Sequence, residues 1–331
     1  MSPRDSLSDE GLAILLLCSM LGLEDKTAPE FAAPLTLSEW NKLALKLGNS
    51  SLRTAAGLLG QNEMDLAKAL ELVPDEAQRL VRLLARSGRL TLELENLFSR
   101  GMWAMTRADQ DYPGRLRDAL KHQAPAVLFG AGEIGLLRQA GLAVIGSRNI
   151  DPAGLAFSQE VGRKCAAAGL PVVSGGAKGT DRLAMQGALE AGGVACGVLA
   201  DALERTIRQP DVRQFLLDGQ LVLLTPYAPT AGFSVGAAMG RNKMIYGLAD
   251  MAVVVSSDFE TGGTWSGAVE ALKARWCPVF VRDGNVPKGN KELIKRGAVP
   301  LLETEVWGMS DLPQALRELV PVRPVEQDLF G

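Results

Sequence analysis

Short runs of apolar, largely β-branched residues alternate with helical segments between residues 141 and 281. The runs that predict buried strands are 141–147, 170–176, 194–200, 221–227, 251–257 and 278–281. Continuous apolar runs, as opposed to alternating ones, are typical of strands covered on both faces. Segments 152–168, 182–191 and 265–275 lie between them and have helical periodicity. The alternation predicts an α/β fold with a doubly wound, mostly parallel sheet.

The first hundred residues have a different pattern. Thr36 and Glu39 have capping-box spacing before a helical stripe that ends at Gly48, and a second helix is predicted over 74–88. No strand-like alternation interrupts them. We therefore expect a small helical domain over 1–100, the sheet domain over 101–300, and a closing segment with an acidic tail over 301–331. At 331 residues and 47% hydrophobic, the chain is long enough for more than one domain.

Composition excludes several classes of site. The net charge is −3, with −4 in residues 301–331 and +1 in residues 1–300, so a polyanion site has to be a local cluster of cations. The four cysteines form no CxxC pair and there is one histidine, which argues against a metal site. The apolar run 11–23 is too short to span a bilayer, and Asp9 and Glu10 precede it, unlike a signal peptide. We expect a soluble cytoplasmic protein.

Four loops combine glycines, hydroxyls or cations with the start of a predicted helix. Asp151 before Pro152, and Thr180 with Asp181, are candidate N-caps, and Arg241 and Lys243 lie at a predicted helix entrance. Ligands of open α/β sheets bind outside the carboxyl ends of the strands, where glycines allow close approach and helix N-termini attract anions. The loops predict a phosphate-binding site with no catalytic residue and no cofactor. Its candidate residues are Gly146, Ser147, Arg148, Ser174, Gly175, Gly176, Lys178, Gly179, Thr180, Asp181, Arg241, Asn242, Lys243, Gly262 and Gly263.

Two familiar phosphate motifs are absent from these loops. The order Lys178-Gly179-Thr180 does not match G-x-x-x-x-G-K-[ST], and the loop after 141–147 has one glycine where G-x-G-x-x-G needs three. Each loop alone could equally be a tight turn. Asp181 is either an N-cap or a catalytic carboxylate, and Trp265 either stacks on a base or packs against the neighbouring loop.

The order of the loops resembles the DprA (Smf) family of DNA-processing proteins over about residues 101–300. The matching segments are TRADQDYPGRL and PAVLFGAGE before the sheet, then AVIGSR, VVSGGAKGTD followed by GALEAGG, and GRNKMIYGLADMAVVV. The sequence departs from the family at Met185, where histidine is frequent, and at 238–240, where an aromatic residue and an extra arginine are frequent.

This resemblance implies an extended Rossmann-like domain that binds single-stranded DNA without catalysis. It also implies that Arg148 and Lys178, with Arg241 beside them, contact phosphates, that the chain forms a homodimer, and that it hands the strand to the RecA recombinase. The resemblance leaves open whether the protein serves natural transformation, repair or phage defence.

Two further hypotheses come from other segments. TGGTWSGAVE distantly resembles the glycine-rich loop of nucleoside-monophosphate phosphoribohydrolases, so a small-nucleotide sensor or hydrolase using Glu270 is the alternative function. The tail EQDLFG, residues 326–331, is similar to short peptides that dock on the replication clamp.

Overall fold

The computed structural model describes residues 7–23 and 31–320. Within these ranges the chain forms two compact units, each built from two stretches of sequence. Unit 1 comprises residues 7–138 without 24–30, together with 196–247, and unit 2 comprises 139–195 and 248–320. The division at residues 100 and 300 stays a prediction.

The N-terminal part of unit 1 is helical. Its helices are α1 (Asp9–Cys18), α2 (Leu37–Asn49), α3 (Glu63–Leu70), α4 (Pro74–Leu84) and α5 (Ser87–Ser99). The predicted capping box is present: the Thr36 hydroxyl accepts from the Glu39 amide, and the Glu39 carboxylate accepts from the Thr36 amide at 2.7 Å. The helix predicted over 74–88 ends at Leu84, and Gly88 lies in the first turn of α5. The apolar segment around Leu15 is core in α1, and no helix among the described residues is long and apolar enough to cross a membrane.

The rest of unit 1 is a small sheet with helices. Its strands follow the order β1-β2-β6-β5, and β2 pairs antiparallel with both β1 and β6. Their bounds are β1 (Met102–Thr106), β2 (Val127–Gly132), β5 (Ala195–Val198) and β6 (Leu221–Thr225). The helices are α6 (Gly114–Leu120), α9 (Leu203–Thr206), α10 (Pro210–Leu217) and α11 (Val235–Leu248).

Unit 2 contains a parallel sheet with the order β4-β3-β7-β8-β9. The strands are β3 (Leu142–Gly146), β4 (Val172–Ser174), β7 (Met251–Ser256), β8 (Val279–Asp283) and β9 (Val299–Leu302). The helices are α7 (Pro152–Ala167), α8 (Thr180–Glu190), α12 (Gly262–Ala274), α13 (Lys288–Lys295), α14 (Glu303–Gly308) and α15 (Leu312–Leu319). The chain winds outward from β3 to β4 and in the other direction from β7 to β9. This is the doubly wound, mostly parallel α/β architecture predicted from the sequence.

The six apolar runs all correspond to strands, and three further strands were not predicted. β1 and β2 form the antiparallel pair, in which Gly130 lies opposite Trp103, and a β carbon on Gly130 would be 2.2 Å from the Trp103 ring. β9 contains Pro300, which removes a backbone donor and is compatible with the terminal position of this strand in unit 2. Mixed composition and proline hid these strands from the pattern of apolar runs.

Candidate functional site

Three loops leave the parallel sheet of unit 2 at the carboxyl ends of their strands. They are the β3–α7 loop (147–151), the β4–α8 loop (175–179) and the β7–α12 loop (257–261). Because the strands are parallel, the three loops share one edge of the sheet, and the sheet order changes direction between β3 and β7. This is the position at which ligands of open α/β sheets bind.

The β3–α7 and β4–α8 loops are in direct contact. A β carbon on Gly146 would be 2.3 Å from the Thr180 hydroxyl oxygen, and one on Gly179 would be 2.7 Å from the Arg148 carbonyl oxygen. The Thr180 hydroxyl donates to the Ser147 carbonyl at 3.4 Å. Gly179 has φ +85°, which favours glycine. The structure therefore brings together the loops that carry Arg148 and Lys178, and both of these side chains are exposed.

The β7–α12 loop begins beside the first loop. Gly146 is paired with Ser256 in the parallel ladder, and the Ser147 amide donates to the Ser256 carbonyl at 2.9 Å. The loop then leads to Gly262, which has φ +78° and opens α12. Gly263 follows inside the first turn of that helix.

The three helices that follow these loops begin differently. Asp151 is the N-cap of α7 as predicted, and its carboxylate accepts from the Gly154 amide at 2.7 Å. In contrast, α8 and α12 begin without a side-chain cap. Anions are stabilised at such helix N-termini by backbone N–H groups and the helix dipole.

The expectation that Thr180 or Asp181 caps α8 is wrong. The N-cap is Gly179, whose backbone (φ +85°, ψ −130°) already ends the loop, so that Thr180 and Asp181 fall within the first helical turn. Both side chains are buried. The Thr180 hydroxyl joins the start of the helix to the β3–α7 loop through the Ser147 carbonyl.

Ser174 and the two glycines after it differ in exposure. The Ser174 side chain is fully buried, and its hydroxyl donates to the Val144 carbonyl at 2.6 Å, which joins β4 to β3. Gly175 is buried, whereas Gly176 is exposed and has φ +65°. The surface of this loop is therefore formed by Gly176 and Lys178.

Arg241, Asn242 and Lys243 belong to α11 in unit 1. The expectation that they lie at a helix entrance is wrong, because α11 begins at Val235, six residues before Arg241. Residues 236–240 continue the helix, and the Tyr227 hydroxyl donates to the Ala237 carbonyl in this first part of it at 3.0 Å.

Neither of the two cations of this segment has an exposed side chain. Lys243 donates from Nζ to Gln123 Oε1 at 3.0 Å. The Arg241 side chain is buried. It lies near Tyr227, whose own burial raises the pKa of its hydroxyl, and the positive charge of Arg241 partly opposes that rise.

Trp265 packs within unit 2. It is 7% exposed, and its ring lies edge-on to Phe259 with 5.1 Å between the ring centroids. Glu270 is exposed on α12. Among residues 7–23 and 31–320 no group of three or more His, Cys, Asp or Glu could hold a metal ion. The predicted clamp-binding tail lies outside the described residues.

Two buried polar residues behind the loops, Arg282 and Asn290, were missed by the sequence analysis. Arg282 is 1% exposed and Asn290 is fully buried. The one available signal was an arginine directly after the apolar run 278–281, at a position where a buried strand is otherwise apolar.

The chain is similar to known proteins over most of these elements. The family model of DNA recombination-mediator protein A matches residues 103–308. Protein Smf of Escherichia coli is 30% identical over 207 residues, which are 58% of this chain and 54% of that protein, so the chain spans about half the length of this relative.

Solved structures also match. DNA processing protein A from Streptococcus pneumoniae aligns with a TM-score of 0.64 at 23% identity, covering 82% of this chain and 97% of that one. DNA processing protein A from Helicobacter pylori, described for its single-stranded DNA binding mode, aligns with a TM-score of 0.53 at 22% identity, covering 66% and 96%. These similarities agree with the Rossmann-like fold.

Proposed function

The chain belongs to the family of DNA recombination-mediator protein A, and from this membership we propose that it binds single-stranded DNA in DNA processing and recombination. The observation that carries the proposal is the contact between the β3–α7 and β4–α8 loops. That contact places two exposed cations, Arg148 and Lys178, on adjoining loops at the carboxyl edge of the sheet.

The chemistry of these loops suits a phosphate backbone. The guanidinium of Arg148 can donate two parallel hydrogen bonds to a phosphate, and the ammonium of Lys178 acts as a compact positive charge. The uncapped N-termini of α8 and α12 supply backbone donors at the same edge. Gly176 and Gly262, which carry no side chain, leave the strand room to approach.

We further propose that the role is binding without catalysis. Phosphate contacts position a nucleic acid and carry no sequence information, so the protein should bind strands of different sequence alike. Phosphate contacts of Arg241, Asn242 and Lys243 are a separate proposal for unit 1, where binding requires Lys243 to leave Gln123 and the buried Arg241 to become accessible. The nucleotide-hydrolase alternative is not favoured by the similarities to DNA-processing proteins.

The test is fluorescence anisotropy with a labelled oligothymidylate at several salt concentrations. Three to four phosphate contacts give a slope of log K against log salt of about −2 to −3, so fourfold more salt should weaken binding by roughly tens of fold. Binding that is absent, or that does not respond to salt, would overturn the proposal.

Single substitutions locate the site. Arg148→Ala and Lys178→Ala should each weaken binding of every sequence and reduce the magnitude of the salt slope by about 0.7. Lys273→Ala is the matched control, because Lys273 is an exposed lysine of unit 2 in the last turn of α12, at the opposite end of that helix from the β7–α12 loop. Equal effects of Lys178→Ala and Lys273→Ala would mean that the charge acts non-specifically.

On the same basis we propose that the protein works in the cytoplasm as a homodimer and delivers the bound strand to RecA, in transformation, repair or defence. Light scattering reports the dimer, and RecA assembly on an oligonucleotide coated with this protein reports the delivery. A contact of residues 321–331 with the replication clamp is a separate proposal. Deleting those residues should then abolish clamp capture and leave DNA affinity unchanged.

A further inference from the structure

Arg282 is a buried cation that holds two carboxylates on different segments of unit 2. It lies near the end of β8, and its guanidinium is 1% exposed. Nη1 and Nη2 donate to Asp151 Oδ1 and Oδ2, both at 3.1 Å, and Nε donates to Glu303 Oε1 at 2.6 Å. The side chain is thereby fixed by a bidentate pair on one side and a single strong bond on the other.

The electrostatics of this group favour the charged pairs. Burial disfavours the guanidinium cation, yet the hydrogen bonds to Asp151 and Glu303 outweigh it and raise the pKa of Arg282. In turn, hydrogen bonding to Arg282 lowers the pKa of Asp151. Space for the guanidinium comes from Gly154, because a β carbon there would be 2.3 Å from Arg282 Nη1.

Asp151 ties this buried network to the β3–α7 loop. It is the last residue of that loop, three positions after Arg148, and its Oδ1 also caps α7 through the Gly154 amide. Asp151 therefore fixes the backbone on the C-terminal side of Arg148, and the buried Arg282 side chain holds Asp151 in position.

Asn290 connects the β7–α12 loop to Arg282 by hydrogen bonds. Its Oδ1 accepts from the Ser257 amide at 2.8 Å, and its Nδ2 donates to the carbonyls of Val255 and Arg282 at 3.0 and 2.9 Å. Gly289 lets the helix approach, since a β carbon there would be 2.1 Å from the Ser257 carbonyl oxygen. Arg282 thus joins one loop by its side chain and the other by its backbone.

We propose that Arg282 and Asn290 form a clamp that fixes the spacing of the β3–α7 and β7–α12 loops, and that Arg282 is a positioning residue for the phosphate contact made by Arg148. The inference rests on the proposed function, because it assigns a role to residues behind the proposed DNA site. Arg282 itself touches no DNA and acts through Asp151.

The test compares two substitutions of carboxylates bound to the same guanidinium. Asp151→Asn keeps the N-cap, because asparagine caps as well as aspartate, but removes the charge that pairs with Arg282. Glu303→Gln is the matched control, since Glu303 lies at the start of α14 and not on a DNA loop. Asp151→Asn should weaken oligothymidylate binding about five- to tenfold and Glu303→Gln less than about twofold, with similar losses of thermal stability.

A double-mutant cycle separates positioning from general loss of structure. In an Arg148→Ala background, Asp151→Asn should add less than about a twofold effect, because its influence passes through Arg148. An unreduced effect in that background would overturn the positioning role. Arg282→Lys gives a second measurement, since lysine keeps the charge but cannot bind both oxygens of Asp151. Affinity of this variant equal to wild type would also overturn the clamp.

The outcomes distinguish the two proposals. If Arg148→Ala weakens binding and Asp151→Asn does not, the clamp is wrong and the DNA-binding function stands. If neither Arg148→Ala nor Lys178→Ala changes the affinity, the proposed DNA site is wrong and the clamp loses its role with it.

Discussion

Gly179 lies against the backbone of Arg148: a β carbon on Gly179 would be 2.7 Å from the Arg148 carbonyl oxygen and 2.8 Å from that of Ser147. The two loops of the candidate site are therefore packed backbone to backbone. Neither loop can shift far without displacing the other. The geometry of the proposed phosphate site therefore requires glycine at position 179, where a β carbon would not fit.

Gly179→Ala should destabilise the protein and weaken DNA binding. The β carbon would collide with two carbonyl oxygens, and the left-handed φ adds strain, for a cost of about 1–3 kcal/mol or more in the free energy of unfolding. Gly192→Ala is the matched control, because Gly192 has a similar φ of +78° and nothing within 4 Å of a β carbon. Chemical denaturation and anisotropy measure both; equal losses for the two variants would contradict the close-contact interpretation.

Trp265→Ala should lower stability without changing DNA affinity. The side chain is buried against Phe259, so truncation should cost about 3–5 kcal/mol of unfolding free energy. Lys178→Ala should instead weaken DNA binding and leave the free energy of unfolding nearly unchanged, because the Lys178 side chain is exposed. If Trp265→Ala weakens binding at temperatures where the protein stays folded, the indole contacts the strand.

Glu39→Gln should change the acid dependence of stability. Hydrogen bonds from Arg79 and from the Thr36 amide lower the pKa of Glu39 from 4.5 to about 2. A carboxyl with a lowered folded-state pKa stabilises the protein fully above its unfolded-state pKa, and this contribution is lost as the pH falls from 4.5 toward 2.

Glutamine can still complete the capping box, so the variant isolates the charge of Glu39. Unfolding free energy measured at intervals between pH 5 and pH 2 should therefore fall less steeply for Glu39→Gln than for wild type. Glu95→Gln, on the exposed surface of α5, serves as the comparison. Parallel curves for wild type and Glu39→Gln would contradict the prediction.

Thiol labelling of the folded protein should be selective. Burial raises the pKa of Cys18, Cys165 and Cys196 to about 12 each, so these thiols stay protonated at pH 8. Cys165 and Cys196 are buried, whereas Cys18 and Cys277 are half-buried. A disulfide reagent should label Cys277 first in the native protein and all four cysteines in denaturant. Cys277→Ser should remove the fast phase, and its persistence would point to an opened core.

The sequence was informative wherever one local rule decides the structure. Continuous apolar runs predicted the buried strands, and Asp151 with Pro152 predicted the start of α7, because capping depends on neighbours in the chain. Gly179 was foreseen as a loop residue, but its contact with the Arg148 carbonyl depends on the pairing of two strands.

Structure that depends on distant partners escaped the sequence analysis. Arg282 follows a strand-like run and gave no sign that carboxylates at 151 and 303 would meet it. The start of α11 was hidden by glycines at 236 and 240, which are weak helix formers that tertiary packing overrides. The buried polar network behind the loops is therefore the part of the candidate site that coordinates add.

The chain passes from one unit to the other three times, after residues 138, 195 and 247. A cut at any one of these points would separate strands that pair, as β2 pairs with β6 across 88 intervening residues. Neither unit can be exchanged between relatives as a single contiguous cassette. Chimeras of this protein therefore need paired junctions.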